Sequence, residues 1–186
     1  NKNNEIIYLG GITKIRGIYE LVKALENAPN ISLNLVGEFA EVGLKESAMR
    51  LTAWKQVNEL GFLSRLQAQT ILSKSKIGIV TFLSAPNHIN AQPNKLFEYM
   101  AAGLPVVGSN FPLWRQIIEG GNCGLCVDPA NPRAIASAIN YLITHPKEAQ
   151  QMGKNGQQLI QEKYNWTIEE KKLFDLYESL LGAYSG

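Results

Sequence analysis

Apolar and polar residues alternate along the chain in blocks that predict strands separated by helices. Strand-like apolar runs recur six times, the weakest at 54–60, and they cover residues 5–10, 31–37, 54–60, 77–82, 105–109 and 124–128. Between the runs, apolar residues recur at the spacing of one helix face, as they do at Ile18, Leu21, Val22 and Leu25. Near-continuous apolar strands that alternate with helices are typical of a parallel sheet covered on both faces. The pattern predicts an α/β fold: a Rossmann-like three-layer sandwich with about six parallel strands.

Capping signals indicate where several of these helices begin. Ser64-Arg-Leu-Gln67 is a capping box that opens a helix, and Asn131-Pro132 combines an N-cap residue with proline at the first helical position. The tail differs from the rest of the chain, because two helical stretches, about 146–163 and 165–182, follow one another without a strand between them. A second capping box, Thr167 to Glu170, opens the last one. We therefore expect C-terminal helices in addition to the sandwich.

Length and composition exclude several classes of protein. The chain has 186 residues, of which 45% are apolar and 18% charged, and its net charge is +2. The basic residues are scattered, whereas a nucleic-acid interface needs a basic stripe. No apolar run approaches the roughly 20 residues of a membrane span, and no signal peptide is recognisable. We expect a cytoplasmic protein that contacts a membrane, if at all, through another part. Because the chain lacks an initial Met, we interpret it as a piece of a longer protein.

The two cysteines are spaced as Cys123-Gly-Leu-Cys126. This spacing occurs in redox and zinc sites, but a redox pair places its first cysteine at a helix N-terminus, whereas these residues read as a strand after a glycine turn. A zinc site needs further ligands, and His88 and His145 lie in unrelated places. We predict two unreactive thiols and neither a metal nor a cofactor. The lack of a disulfide framework is typical of a reducing compartment.

The loop GGITKIRG, residues 10–17, is a candidate phosphate site. Gly10 and Gly11 allow a ligand to approach the backbone closely, and the N-terminus of the following helix attracts anions. Lys14 and Arg16 add positive charge. The pattern is not the GxGxxG dinucleotide fingerprint. By itself it favours a plain strand-to-helix turn with two solvated cations.

The segment 84–103 carries a second candidate site. A polar loop leads to Pro93 and a short helix, whose first N–H groups at Asn94 and Lys95 point out of the helix end and can bind a phosphate. Glu98, one turn later, can accept hydrogen bonds from the vicinal hydroxyls of a ribose. The alternative is a surface ion pair between Lys95 and Glu98, worth a few tenths of a kcal/mol. The residues alone leave both interpretations open.

Several stretches together resemble a known family. The most specific is PNKLFEYMAAGLPVV (93–107), and the supporting ones are YLGGITKIRGIYELVKAL (8–25), LGFLS (60–64), NCGLCVDPANPRAIASAI (122–139) and YNWTIEEKKLFDLYESLL (164–181). They resemble the retaining, nucleotide-sugar-dependent glycosyltransferases of group 1, which have the two-domain GT-B architecture. The resemblance covers essentially all of residues 1–186, as the C-terminal, donor-binding domain.

The resemblance also implies roles for individual residues. Two glutamates of the family, separated by seven residues, bind the ribose and the donor sugar, and they match Glu98 and Asn90. An arginine directly after the first-strand glycine and a lysine five residues later bind the diphosphate in the family, and they match Gly11 and Arg16. One acid and one cation are therefore missing, and we expect Arg16 and Lys95 to supply the charge together. The segment LGFLS places Phe62 on the base side.

The resemblance implies a hexosyltransferase of polysaccharide biosynthesis that needs no catalytic metal and no protein nucleophile. We find no nucleophile constellation in the sequence, and thus name no catalytic residue. The expected partners are a nucleotide-diphosphate sugar and an N-terminal acceptor-binding domain, without which the chain would be inactive. One alternative is a GT-B-like sugar-nucleotide epimerase. Another is a receiver-like partner-binding domain, although the first strand ends in Gly10-Gly11 rather than in the acidic residues of a receiver.

Overall fold

A six-stranded parallel sheet forms the centre of the protein in the computed structural model, which describes residues 4–164. The sheet has the order β3-β2-β1-β4-β5-β6. Its strands are β1 (Asn4–Leu9), β2 (Ile31–Val36), β3 (Val57–Gly61), β4 (Ile77–Val80), β5 (Val106–Ser109) and β6 (Gly124–Val127). The predicted Rossmann-like sheet is confirmed. The receiver-like alternative is wrong, because receivers have the flavodoxin-like order 2-1-3-4-5.

Helices cover both faces of the sheet. Within residues 4–164 they are α1 (Ile18–Ala24), α2 (Leu44–Met49), α3 (Arg65–Lys74), α4 (Pro86–Ile89), α5 (Asn94–Ala101), α6 (Pro112–Ile118), α7 (Pro132–Thr144) and α8 (Pro146–Glu162). On one face of the sheet, α1 contacts both α2 and α7. Elsewhere, α5 contacts α8. Successive strands are added toward one side of the sheet up to β3 and toward the other side from β4 onward. Because crossovers between parallel strands are right-handed, this change places α3 and α5 on the face opposite α1. None of the described helices is both long and apolar enough to cross a membrane.

The predicted caps form as the sequence indicates. The side chain of Ser64 accepts from the backbone N–H of Gln67, and the Gln67 side chain accepts from the N–H of Ser64. Asn131 caps α7 at two backbone N–H groups, with proline following it. The strand predicted at 54–60 begins only at Val57, because residues 52–56 form a 3-10 helix. The predicted helix at 165–182, with its capping box, lies outside the described residues.

The apolar strands account for the core. Ile6, Ile7 and Tyr8 of β1 are fully buried, as are Ile79 and Val80 of β4, because the sheet is covered on both faces. All six strands end at one edge, which we call the carboxyl edge. There β1 lies between β2 and β4, so the chain leaves β1 and β4 in opposite directions. Such a switch point opens a crevice at the carboxyl ends of the strands, where ligands bind in folds of this type.

Candidate functional site

Glycines bring the loops of the carboxyl edge into close contact. Gly10 has φ of +131°, a conformation that L side chains rarely adopt, and a Cβ there would lie 2.0 Å from Cε of Lys95 and 2.2 Å from its Nζ. Gly37, after β2, has φ of +140°, and its Cβ would lie 1.9 Å from the carbonyl oxygen of Gly10. A side chain at Gly37 would collide with the backbone, and one at Gly10 would displace the end of Lys95. Lys95, at the start of α5, therefore reaches across the edge and lies on the backbone after β1.

Arg16 approaches the same place from the loop after β1. Its Nη1 donates to the carbonyl of Gly11 at 3.1 Å, and Tyr8 Oη donates to the same oxygen at 2.8 Å. A Cβ at Gly11 would lie 2.8 Å from that Nη1, so the bare glycine leaves room for the guanidinium. The guanidinium carbon lies 5.6 Å from the centre of the Phe82 ring, just after β4. The resemblance matched an arginine to Gly11, and the structure instead fills this space with Arg16.

Arg16 lies close enough to Lys95 to influence the charge of the lysine. Burial lowers the pKa of Lys95, and the neighbouring charge of Arg16 lowers it further, whereas Glu98 acts in the opposite direction. Two cations that repel each other in a half-buried place destabilise the charged form of the lysine. An anion bound between them would remove that repulsion.

The two cations line a cavity of about 300 Å³, which we call the cation cavity. Its walls are Arg16, Phe82, His88, Ala91, Gln92, Pro93, Asn94, Lys95 and Trp114. Pro93 is the N-cap residue of α5 rather than part of its first turn, and no side chain caps this helix. The first N–H groups of a helix have no intrahelical acceptor, so those of Asn94 and Lys95 are available to a ligand. The predicted phosphate residues of two distant segments thus meet around one cavity.

Glu98 faces a different opening. It lines a groove of about 680 Å³ between α3 and α5, which we call the α3–α5 groove. The other lining residues are Leu9, Arg65, Ala68, Gln69, Leu72, Ser73, Ala101 and Ala102. Within residues 4–164 the salt bridges are Lys45–Glu59 and Arg115–Glu119, and none joins Lys95 to Glu98. The alternative of a surface ion pair is therefore wrong, because the end of Lys95 lies against Gly10 whereas Glu98 lines the α3–α5 groove.

The remaining predicted site residues lie at the rim. Phe62, between β3 and α3, is 81% exposed, and Gly61 before it has φ of +63°. Asn90 ends the short helix α4 and is exposed. It does not line the cation cavity, whereas His88 and Trp114 do. Sequence reasoning missed those two residues.

The two cysteines lie in and beside β6, as predicted for Cys126. Burial raises the pKa of Cys126 to about 12 and that of Cys123 to about 11. Both thiols are free. Because the thiolate is the reactive form, neither cysteine has the character of a redox or nucleophilic group. Among residues 4–164 no three potential metal ligands lie together.

A family model described as "Glycosyl transferases group 1" matches residues 1–159 of the chain. The chain belongs to the group 1 glycosyl transferases. This confirms the resemblance drawn from the sequence and favours a glycosyltransferase over the epimerase. Among curated relatives, the capsular polysaccharide biosynthesis glycosyltransferase CapM of Staphylococcus aureus is 24% identical over 190 residues, which cover 100% of this chain and 49% of CapM. The chain thus spans about half of this relative.

Solved structures share the fold of this group 1 domain. The sucrose-phosphate synthase of Thermosynechococcus elongatus superposes with a TM-score of 0.82 at 23% identity, covering 98% of this chain and 47% of the synthase. Anabaena Alr3699/HepE in complex with UDP gives a TM-score of 0.83 at 19% identity, covering 96% and 49%. Its complex with UDP-glucose gives a TM-score of 0.80. At these identities the likeness shows that the fold is shared.

Proposed function

We propose that this chain is the donor-binding domain of a retaining hexosyltransferase and that it binds a nucleotide-diphosphate sugar at the carboxyl edge. The observation that carries the proposal is the meeting of Arg16 and Lys95 beside the uncapped N-terminus of α5. Those groups supply two full positive charges and free backbone donors, which together suit a diphosphate. A guanidinium can hold two phosphate oxygens at once, whereas the ammonium acts as a point charge.

The nucleoside occupies the mouth of the α3–α5 groove in this proposal. Glu98 is placed there to accept hydrogen bonds from the ribose hydroxyls, one helical turn from the phosphate-binding end of α5. The groove has the size of ordinary small-molecule sites, and Leu9 and Ala68 give it an apolar lining suited to a flat base. Phe62 extends from the adjoining loop as an exposed ring on which a base can stack. The complexes of Alr3699/HepE with UDP and UDP-glucose support this class of ligand.

Replacing Glu98 with glutamine tests the nucleoside part of the proposal. We expect affinity for the preferred nucleoside diphosphate to fall by about 1–3 kcal/mol, the scale of a hydrogen bond to a charged group. The fold should not change, because Glu98 is exposed and makes no ion pair with Lys95. Isothermal titration with UDP, GDP and ADP measures the effect, with Glu162→Gln on α8 as the matched control. Unchanged affinity in the Glu98 variant would show that the ribose assignment is wrong.

The depressed pKa of Lys95 predicts how diphosphate binding depends on pH. A bound anion stabilises the charged lysine and raises its pKa, so the complex holds more protons than the free chain in the interval between the two values. Affinity should therefore fall as the pH rises through this interval, which begins below the ordinary pKa of lysine because burial and Arg16 lower the pKa of the free Lys95. The pKa of Tyr8, at about 12, lies above this window.

Lys95→Arg is the matched variant for this pH dependence, because arginine keeps its charge throughout the window. Its affinity profile should be flatter than that of the wild type. Any titration of the nucleotide itself contributes equally to both profiles and cancels in the comparison. Two parallel profiles would mean that Lys95 does not contact the diphosphate.

We further propose that a second, acceptor-binding domain covers the carboxyl edge. The chain spans about half the length of CapM. Four of the large apolar side chains that the described residues expose, Ile15, Val42, Phe62 and Leu66, lie on loops or helix starts at this edge. Apolar groups that share one edge are typical of an interaction surface. The chain alone should bind nucleotide weakly and transfer no sugar, since the acceptor would not be positioned; sugar transfer by the isolated chain would overturn this expectation.

A further inference from the structure

We propose that His88 is a sugar-binding residue, which recognises the hexosyl unit of the donor in the cation cavity, apart from the α3–α5 groove that Glu98 lines. The inference rests on the proposed function and adds a specificity residue to it. His88 belongs to α4, in the loop that follows β4. Nothing in its sequence neighbourhood marks it, because an isolated histidine in a polar loop has no motif.

The position of His88 follows from the Phe82 ring. The centres of the two rings lie 5.1 Å apart at an angle of 49°, and the guanidinium carbon of Arg16 lies 5.6 Å from the same phenyl ring. Imidazole and guanidinium therefore share one aromatic support, and both line the cation cavity with Lys95. A ligand whose phosphates lie between Arg16 and Lys95 brings the group attached to those phosphates near His88.

The imidazole lacks a hydrogen-bond partner. Its Nδ1 is buried and no protein group pairs with it, although the residue as a whole is half-buried and borders the cavity. An unpaired buried polar atom is unfavourable, and such an atom in a native structure requires an explanation. No hydrogen bond fixes the ring, so rotation about its χ2 can turn a nitrogen toward the cavity. A ligand hydroxyl would supply the missing partner, because imidazole nitrogens both donate and accept.

The backbone around His88 is held firmly, unlike its ring. The Nε1 of Trp114 donates to the carbonyl of Ala91 at 2.6 Å. The N–H of His88 donates to Ala85 at 2.8 Å, and the carbonyl of His88 accepts from Ala91 at 3.2 Å. Packing and hydrogen bonds thus place the side chain while its polar atoms stay unused. Such an arrangement is characteristic of a binding residue positioned before the ligand arrives.

The residues that line the cavity near His88 favour binding of a sugar over binding of another phosphate or of a base. Besides the two cations, the residues that line the cavity include His88 with its imidazole, the amide-bearing Gln92 and the aromatic Trp114. These are hydroxyl-binding and apolar groups rather than additional cations. The nucleoside is assigned to the α3–α5 groove, which has none of its lining residues in common with the cation cavity. Once the nucleoside and the phosphates are assigned, the hexose attached to the terminal phosphate is the remaining part of the donor that can contact these residues.

The test separates the sugar contact from nucleotide binding. UDP, GDP and ADP are titrated into the wild-type chain by calorimetry, and the tightest of them is compared with its glucose and N-acetylglucosamine conjugates. His88→Phe keeps an aromatic ring on Phe82 and removes both nitrogens. We expect it to weaken binding of at least one sugar conjugate by about three- to tenfold, the range of a single neutral hydrogen bond, with affinity for the bare diphosphate unchanged. His88→Asn, which retains a polar group near the position of Nδ1, should recover part of the loss.

His145→Phe is the matched control, since this second histidine lies between α7 and α8, near the residues that precede β4 and β5. It should leave every affinity unchanged, and thermal unfolding checks that all variants are folded. Equal losses for the diphosphate and its conjugates would overturn the sugar assignment, as would no loss in His88→Phe. Failure of the wild type to bind any of the three diphosphates would instead refute the proposed function, and the role of His88 with it.

Discussion

Replacing Trp114 with alanine should lower the free energy of unfolding by about 3–5 kcal/mol, the usual range for truncating a large buried aromatic residue. Trp114, in α6, is fully buried. Its ring lies edge-on to Phe82 at 5.5 Å and to Phe111 at 5.0 Å, both at 67°. Alanine would leave a cavity among these rings and remove the hydrogen bond that ties the loop after β4 to α6.

Urea denaturation measures this loss, and Trp114→Phe separates its two causes. Phenylalanine keeps most of the packing but cannot donate to Ala91, so its effect should be near 1 kcal/mol, the value of one hydrogen bond. Val42→Ala, which shortens a fully exposed side chain, should change stability little. A loss below about 1 kcal/mol in Trp114→Ala would show that the aromatic cluster contributes little to the fold.

Removing both cations of the cavity should have the largest effect on ligand binding. We expect Arg16→Ala combined with Lys95→Ala to weaken the nucleoside diphosphate by about 3–5 kcal/mol, since each charged hydrogen bond contributes about 1.5–3 kcal/mol. This corresponds to a loss of at least about 100-fold. Affinity for the bare nucleoside should hardly change, because the nucleoside is assigned to the α3–α5 groove. The backbone N–H groups at the start of α5 remain and should preserve weak binding.

Titrations with uridine, UMP and UDP, or with the matching series of the preferred base, measure this loss. The double variant Lys76→Ala with Lys147→Ala is the control, because it removes the same charge at residues that lie just before β4 and at the start of α8. It should leave all three affinities unchanged. Equal losses for nucleoside, monophosphate and diphosphate in the cavity variant would place Arg16 and Lys95 at the base or in the fold, and the phosphate assignment would be wrong.

Helix ends and turns around the site could be predicted because their causes are local. In the stretch 93–107, α5 begins directly after Pro93, Gly103 adopts φ of +74°, and β5 follows at Val106. Proline disfavours helical continuation before it, and glycine tolerates the left-handed turn that ends the helix. The ion pair considered for Lys95 and Glu98 also rested on local spacing, but tertiary contacts decide side-chain direction. Gly10 provides the space that Lys95 fills.

The sequence by itself determined the succession of strands and helices, the parallel sheet and the family of this protein. Burial on both faces requires continuous apolar runs, and such runs are visible without knowing their neighbours. Only the tertiary structure decided that Arg16 reaches Phe82, that Lys95 lies on Gly10, and that His88 borders the same cavity with an unpaired nitrogen. These contacts join loops that are far apart in the chain, and the strand order, rather than the composition of any one loop, brings them together at the carboxyl edge.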